Sequence, residues 1–111
     1  MNDIPGKMKI EKMKVSDLKY APYNPRKIAD KELAKLKRSI SEFGYVEPIV
    51  WNKRSGFVVG GNQRLKALRE LEIEEVDAVV VDLDDAKEKA LNVALNKISG
   101  EWDFIKLKDV L

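Results

Sequence analysis

The stretch Phe57-Val58-Val59-Gly60-Gly61-Asn62-Gln63-Arg64 constrains this chain more than any other, because an apolar strand runs through paired glycines into a helix with no spacer. Leu65, Leu68 and Leu71 continue the helical spacing, so the junction calls for a sheet with a helix N-terminus set against its edge. Glycine admits positive φ and close backbone approach. The first amides of a helix have no internal partner, its dipole favours negative charge, and Arg64 adds a guanidinium fork. Asn62 is expected to cap the helix. Two readings stay open at this level: an anion cradle, or a plain tight turn. It is not a Walker loop, since no Gly-Lys-Ser/Thr follows.

The flanking segments give an α/β domain. Residues 1–7 read as a flexible lead, and Met8 to Val15 alternates apolar and charged side chains as a half-buried strand does. Ser16-Asp17-Leu18 offers a short turn, and the prolines of Ala21-Pro22-Tyr23-Asn24-Pro25-Arg26 keep that loop out of helix. Asp30 is placed to cap a helix carrying Leu33, Leu36, Ile40 and Phe43, with Gly44 as its stop. Pro48 to Trp51 and Phe57 to Val59 flank Asn52-Lys53-Arg54-Ser55-Gly56 as a hairpin. Val76 to Val81 reads as a central strand. Asp85 and Glu88 suggest a capping box for a third helix with Ala90, Leu91, Ala94, Leu95 and Ile98 inward and Gly100 as stop. Asp103 to Leu111 opens a fourth. The expected fold is a small mixed sheet of about four strands packed with three to four helices, a single domain over 8–111 cut from a longer protein.

Composition removes whole classes of chemistry. The 111 residues include no cysteine and no histidine, which excludes disulfides, thiolate catalysis, the usual zinc sites and Ser-His or Cys-His pairs. No apolar run is long enough for a membrane span and no signal peptide opens the chain, so a cytoplasmic protein with no membrane partner is expected. The net charge of +2 hides a split: residues 1–55 hold 13 Lys/Arg against 7 Asp/Glu, and residues 56–111 hold 8 against 12. The basic half suits phosphates or simply solvates strand and helix surfaces.

The order of these motifs resembles the ParB/sulfiredoxin superfamily. Asn24-Pro25-Arg26, a helix ending Ser39-Ile40, and Gly44-Tyr45-Val46-Glu47-Pro48-Ile49-Val50 resemble the first box of ParB N-terminal domains, which contacts the nucleotide base in that family. Gly61-Asn62-Gln63-Arg64 stands where ParB proteins carry a Gly-Glu-Arg-Arg phosphate motif, and Asn96 falls near the asparagine of a later Glu-Asn phosphate and metal motif. Asn62, Gln63 and Leu95 replace family residues, which puts CTP hydrolysis in doubt, and the absent cysteine excludes sulfiredoxin activity. The Gly-Gly-Asn-Gln-Arg turn and residues 94–103, Ala-Leu-Asn-Lys-Ile-Ser-Gly-Glu-Trp-Asp, most resemble ParB-like domains fused to phage and bacterial DNA methyltransferases.

The resemblance implies a nucleotide-phosphate-binding domain serving DNA modification or partitioning, as a regulatory or DNA-engagement module. It implies a nucleoside triphosphate, CTP or ATP, with Mg²⁺ as cofactor. Asn24, Arg26, Pro48, Gly60, Gly61, Asn62, Gln63, Arg64 and Asn96 are then the binding residues, and no protein metal site is assigned. DNA, nucleotide, a fused or neighbouring methyltransferase and a second copy of the chain are its partners. The alternative is a small enzyme at the same site, a phosphotransferase like the free serine kinase of the superfamily or a nuclease, with Glu47 as base. Trp51 and Trp102 read as packing residues rather than base-stacking platforms.

Overall fold

The computed structural model describes residues 8–23 and 28–96. A five-stranded mixed sheet lies at its centre, built from β1 (Ile10–Lys14), β2 (Lys19–Tyr20), β3 (Ile49–Asn52), β4 (Phe57–Gly60) and β5 (Glu75–Val81) in the order β1-β5-β3-β4-β2. β3 runs parallel to β5 and β2 parallel to β4, while the β1–β5 and β3–β4 pairs are antiparallel. Three helices join it: α1 (Asp30–Phe43), α2 (Asn62–Glu70) and α3 (85–96). The α/β class is as expected. The fifth strand is new, because a two-residue strand such as β2 is too short to show an alternation. The expected lead over 1–7, the ends of α3 at Ile98 and Gly100, and the helix over 103–111 lie outside the described residues.

Strand alternation sorts the layers. Ile49 and Val58 point to a buried core with Leu33 and Ile40 of α1 and Leu65 and Leu68 of α2. Asn52 points to the opposite face, where Glu88 of α3 meets it, so helices lie on both sides of the sheet. β3 takes the middle position, and β5, expected as a central strand, is an inner strand between β1 and β3. β1 is an edge strand whose Ile10, opposite Val79, is 55% exposed. Only Met13 of that strand is half-buried, so its alternation yields a weaker core face than expected.

All three helix starts differ from expectation by one residue, that of α2 being part of the site described below. Ala29 holds the N-cap of α1, and Asp30 makes no side-chain cap bond; with Glu32 it lies in the first turn and acts through charge on the helix dipole. At α3, Asp84 is the cap, its Oδ1 accepting the Lys87 N–H at 2.9 Å. That shift turns Glu88 into the protein instead of into a capping box, and the inward line becomes Glu88, Leu91, Asn92 and Leu95, with Ala90 and Ala94 exposed. The stop at Gly44 holds: at φ 87°, its N–H donates to the Ile40 carbonyl at 2.8 Å. Among the described residues no helix is long and apolar enough to cross a membrane.

Candidate phosphate-binding site

The site starts from a backbone conformation. Gly61 is the N-cap of α2 at φ 90° and ψ 26°, left-handed space that side chains rarely enter. A Cβ there would stand 3.1 Å from Ile49 Cγ1 and 3.1 Å from Arg64 Nη2, so glycine is required on both counts. Asn62 is therefore the first helical residue and not the cap. Its amide braces the turn instead, donating to the Val58 carbonyl at 3.0 Å and accepting the Ala21 N–H at 3.4 Å. The Leu65 N–H reaches the Gly61 carbonyl at 2.8 Å, which leaves the amides of Asn62, Gln63 and Arg64 with no helical carbonyl behind them.

A cavity of about 460 Å³ opens over these amides. Its lining brings together Glu47, Pro48, Gly60, Gly61, Asn62, Gln63, Arg64 and Asn96 of the sequence-derived set, with Val50, Val59 and Leu95 as apolar walls. Asn24 and Arg26 lie outside the described residues. Arg64 is the cavity's cation. Its Nη1 meets Glu47 Oε2 at 2.8 Å, and its Nε is buried with no hydrogen-bond partner. A guanidinium with an unused buried donor beside free helix amides suits a multidentate anion such as a phosphate chain. Glu47, with 72% of its side chain exposed, holds the rim.

The far wall is set by α3. Register between β3 and β4 pairs Val50 with Gly60 and Trp51 with Val58, so Val59 is an extra residue on β4. Its carbonyl accepts from Asn92 Nδ2 at 2.9 Å, and Asn92 Oδ1 accepts from Asn96 Nδ2 at 3.4 Å. One turn earlier, Glu88 is 1% exposed and accepts hydrogen bonds from Tyr23 Oη at 2.8 Å, from Asn52 Nδ2 at 2.7 Å and from Ser55 Oγ. Burial alone would raise the Glu88 pKa, but those three hydrogen bonds, helped by the Lys89 charge, outweigh it and hold the group below the usual carboxylate range. Burial and the bond to Glu88 push the Tyr23 hydroxyl well above its usual range, so it stays a donor. Sequence reasoning missed Tyr23, Glu88 and Asn92. The signal available was the four-residue spacing of Glu88, Asn92 and Asn96, a polar line on a helix face otherwise assigned to alanine and leucine.

With this geometry in place, the comparisons decide the family. The family model for the ParB N-terminal domain matches residues 2–97. The chain belongs to the ParB N-terminal domain family. This ParB N-terminal domain is 36% identical over 80 residues to stage 0 sporulation protein J of Bacillus subtilis, an alignment covering 69% of the chain and 28% of that protein. The chain thus spans little more than a quarter of that curated relative. Its fold is similar to C-terminally truncated chromosome-partitioning protein ParB from Caulobacter crescentus complexed with CTP-gamma-S, at TM-score 0.71 and 24% identity, covering 79% of this chain and 52% of that one. The same Caulobacter protein complexed to the centromeric parS site gives TM-score 0.65 at 21% identity, covering 78% and 46%. Sulfiredoxin from Arabidopsis thaliana gives TM-score 0.63 at 15% identity, covering 75% and 96%, which places the ParB fold here on the ParB/sulfiredoxin plan.

Proposed function

We propose that this domain binds a nucleoside triphosphate, CTP or ATP, at the Gly60–Arg64 turn, and that the bound nucleotide governs engagement of DNA or of a second copy of the chain. The observation that carries this reading is the cavity of about 460 Å³ that gathers eight sequence-derived residues around an arginine with an unpartnered buried Nε. Gly60, Gly61 and the first amides of α2 receive phosphate oxygens, Arg64 supplies the positive charge, and Pro48 with Val50 offers an apolar seat for the base or ribose. Asn24 and Arg26, outside the described residues, are assigned to the same ligand by the family resemblance. Mg²⁺ enters with the nucleotide: among the described residues no group of three or more Asp and Glu gathers to hold it, and magnesium commonly keeps phosphate and water ligands. The CTP-gamma-S held by the Caulobacter ParB, and the parS site that protein also binds, support nucleotide and DNA as ligand classes.

Calorimetric titration with the four nucleoside triphosphates, with and without Mg²⁺, tests the reading. Sub-millimolar binding of at least one, abolished by Arg64→Ala in a protein with unchanged circular dichroism, is the expected result. No binding by any of the four refutes it. A second reading, phosphotransferase or nuclease activity, is favoured by one observation: Glu47 places a carboxylate at the cavity rim beside Arg64, where it can accept a proton from a nucleophile. Turnover that vanishes in Glu47→Gln while nucleotide binding persists establishes it. Association with a DNA methyltransferase rests on residues 94–103, of which only 94–96 are described, and the neighbouring reading frames test it.

A further inference from the structure

Among the described residues Glu88 is the one buried carboxylate, and the nucleotide reading makes no use of it. No ion pair with Glu88 occurs among the described residues; three neutral donors, from Tyr23, Asn52 and Ser55, hold the charge. A buried charge without a countercharge is costly unless its lone pairs are filled, and an apolar residue would pack under α3 at no such cost. The donors come from chain segments far apart in sequence. Asn52 and Ser55 belong to the β3–β4 turn, and Tyr23 ends the described stretch that precedes Asn24. That stretch is held again at Ala21, whose N–H donates to Asn62 Oδ1 in the cavity lining. Along α3 the same face continues from Glu88 to Asn92, which holds the carbonyl just before Gly60, and then to Asn96 in the cavity wall.

We propose that Glu88 is a positioning residue for the anion site. By accepting from Tyr23, from Asn52 at the end of β3 and from Ser55 in the hairpin turn, it fixes where α3 lies against Gly60–Gly61 and holds the stretch that ends at Tyr23. Ligand affinity then depends on a hydroxyl and a carboxylate that line no part of the cavity. This inference rests on reading the cavity as the nucleotide site, and its test separates the two.

Tyr23→Phe, Glu88→Gln and the double variant are titrated with the tightest-binding of the four nucleoside triphosphates plus Mg²⁺, well below the melting transition of every variant. Amide hydrogen exchange over 18–23 and 85–96 is measured on the same proteins without ligand. Each single change weakens binding by about tenfold to a hundredfold, the loss of one hydrogen bond to a charged group. The double variant binds no worse than the weaker single, because both changes break one connection. Exchange rises over 18–23 in Tyr23→Phe. Val76→Ala, in the core beneath the opposite sheet face, lowers the melting temperature and leaves affinity unchanged. Unchanged affinity in Tyr23→Phe, or an equal loss in Val76→Ala, overturns the positioning role. Should the wild-type protein bind none of the nucleotides, the site reading fails and exchange alone decides: unaltered protection over 18–23 in Tyr23→Phe overturns the proposal, and lost protection sustains the tether.

Discussion

Gly61→Ala is the perturbation that tests the architecture of the turn most directly, because two independent costs meet at one atom. The first is conformational: alanine at φ 90° and ψ 26° occupies left-handed space, at about 1–2 kcal/mol. The second is steric. The new methyl would stand 3.1 Å from Ile49 Cγ1 and 3.4 Å from Ile49 Cα, in a strand whose residue Ile49 is 0% exposed, so the sheet cannot yield freely. Overpacking of this kind adds roughly 1–2 kcal/mol. The total of about 2–4 kcal/mol lowers the melting temperature by on the order of 10 °C or more for a domain of this size. Gly44→Ala is the control for a backbone cost with no steric one: Gly44 lies at φ 87° and ψ −172°, a region essentially confined to glycine, with nothing within 4 Å of the added carbon. Its cost of about 1–3 kcal/mol is conformational alone. Urea titrations of the two variants, read by circular dichroism, give both values. A Gly61→Ala cost no greater than the roughly 1–2 kcal/mol of left-handed backbone alone refutes the close approach of the turn to Ile49. The same methyl meets Arg64 Nη2 at 3.1 Å, so the surviving folded protein also loses affinity for polyphosphate, which Gly44→Ala does not.

Four further outcomes follow from the polar contacts. The folded-state pKa of Glu88 is depressed, so the stability it contributes is complete above the unfolded glutamate value of about 4.3 and is lost as pH falls through the folded value; Glu88→Gln therefore flattens the acid limb of a stability–pH profile. Asn92→Ala strips the carbonyl of Val59 of its buried donor and costs about 1–3 kcal/mol in a urea titration. Tyr45→Phe costs about 1–2 kcal/mol, because that hydroxyl donates to the Asp77 carbonyl at 2.6 Å and accepts the Ile49 N–H at 2.7 Å, joining the segment before β3 to β5. By contrast, Arg54→Ala, which breaks an exposed pair with Asp82, changes stability by less than about 0.5 kcal/mol in the same assay.

How far the fold and site could be read from residues alone depends on what kind of force placed each one. The Gly60–Gly61 junction, the stop at Gly44 and the hairpin around Gly56 were legible because a local backbone requirement dictates the residue type. The clustering of Glu47 and Pro48 with residues 60–64 followed from the family resemblance, and a single cavity now holds them. Local reasoning failed where tertiary partners overrule it. Asn62 has the type of a cap, but Gly61 already supplies the turn, and the freed amide goes to Val58 and Ala21. β2 exists only because β4 offers it an open edge.

The largest miss, the face of α3, shows why polar residues inside a domain escape pattern reading. Periodicity counts apolar side chains, and it placed Ala90 and Ala94 inward because both are apolar. The protein instead turns Glu88 and Asn92 to the sheet, since the hairpin turn presents Asn52 and Ser55 there and the extra residue Val59 leaves a carbonyl that needs a donor. An alanine face would bury less surface but leave these groups unsatisfied, at about 1–3 kcal/mol each. Unsatisfied polar groups on the sheet thus choose the rotation of α3 about its axis, and that rotation carries Leu95 and Asn96 into the wall of the cavity over the Gly60–Arg64 turn. On this reasoning the bulge at Val59 is coupled to the site: removing the extra residue would restore the regular ladder, release Asn92, and turn Asn96 away from Arg64.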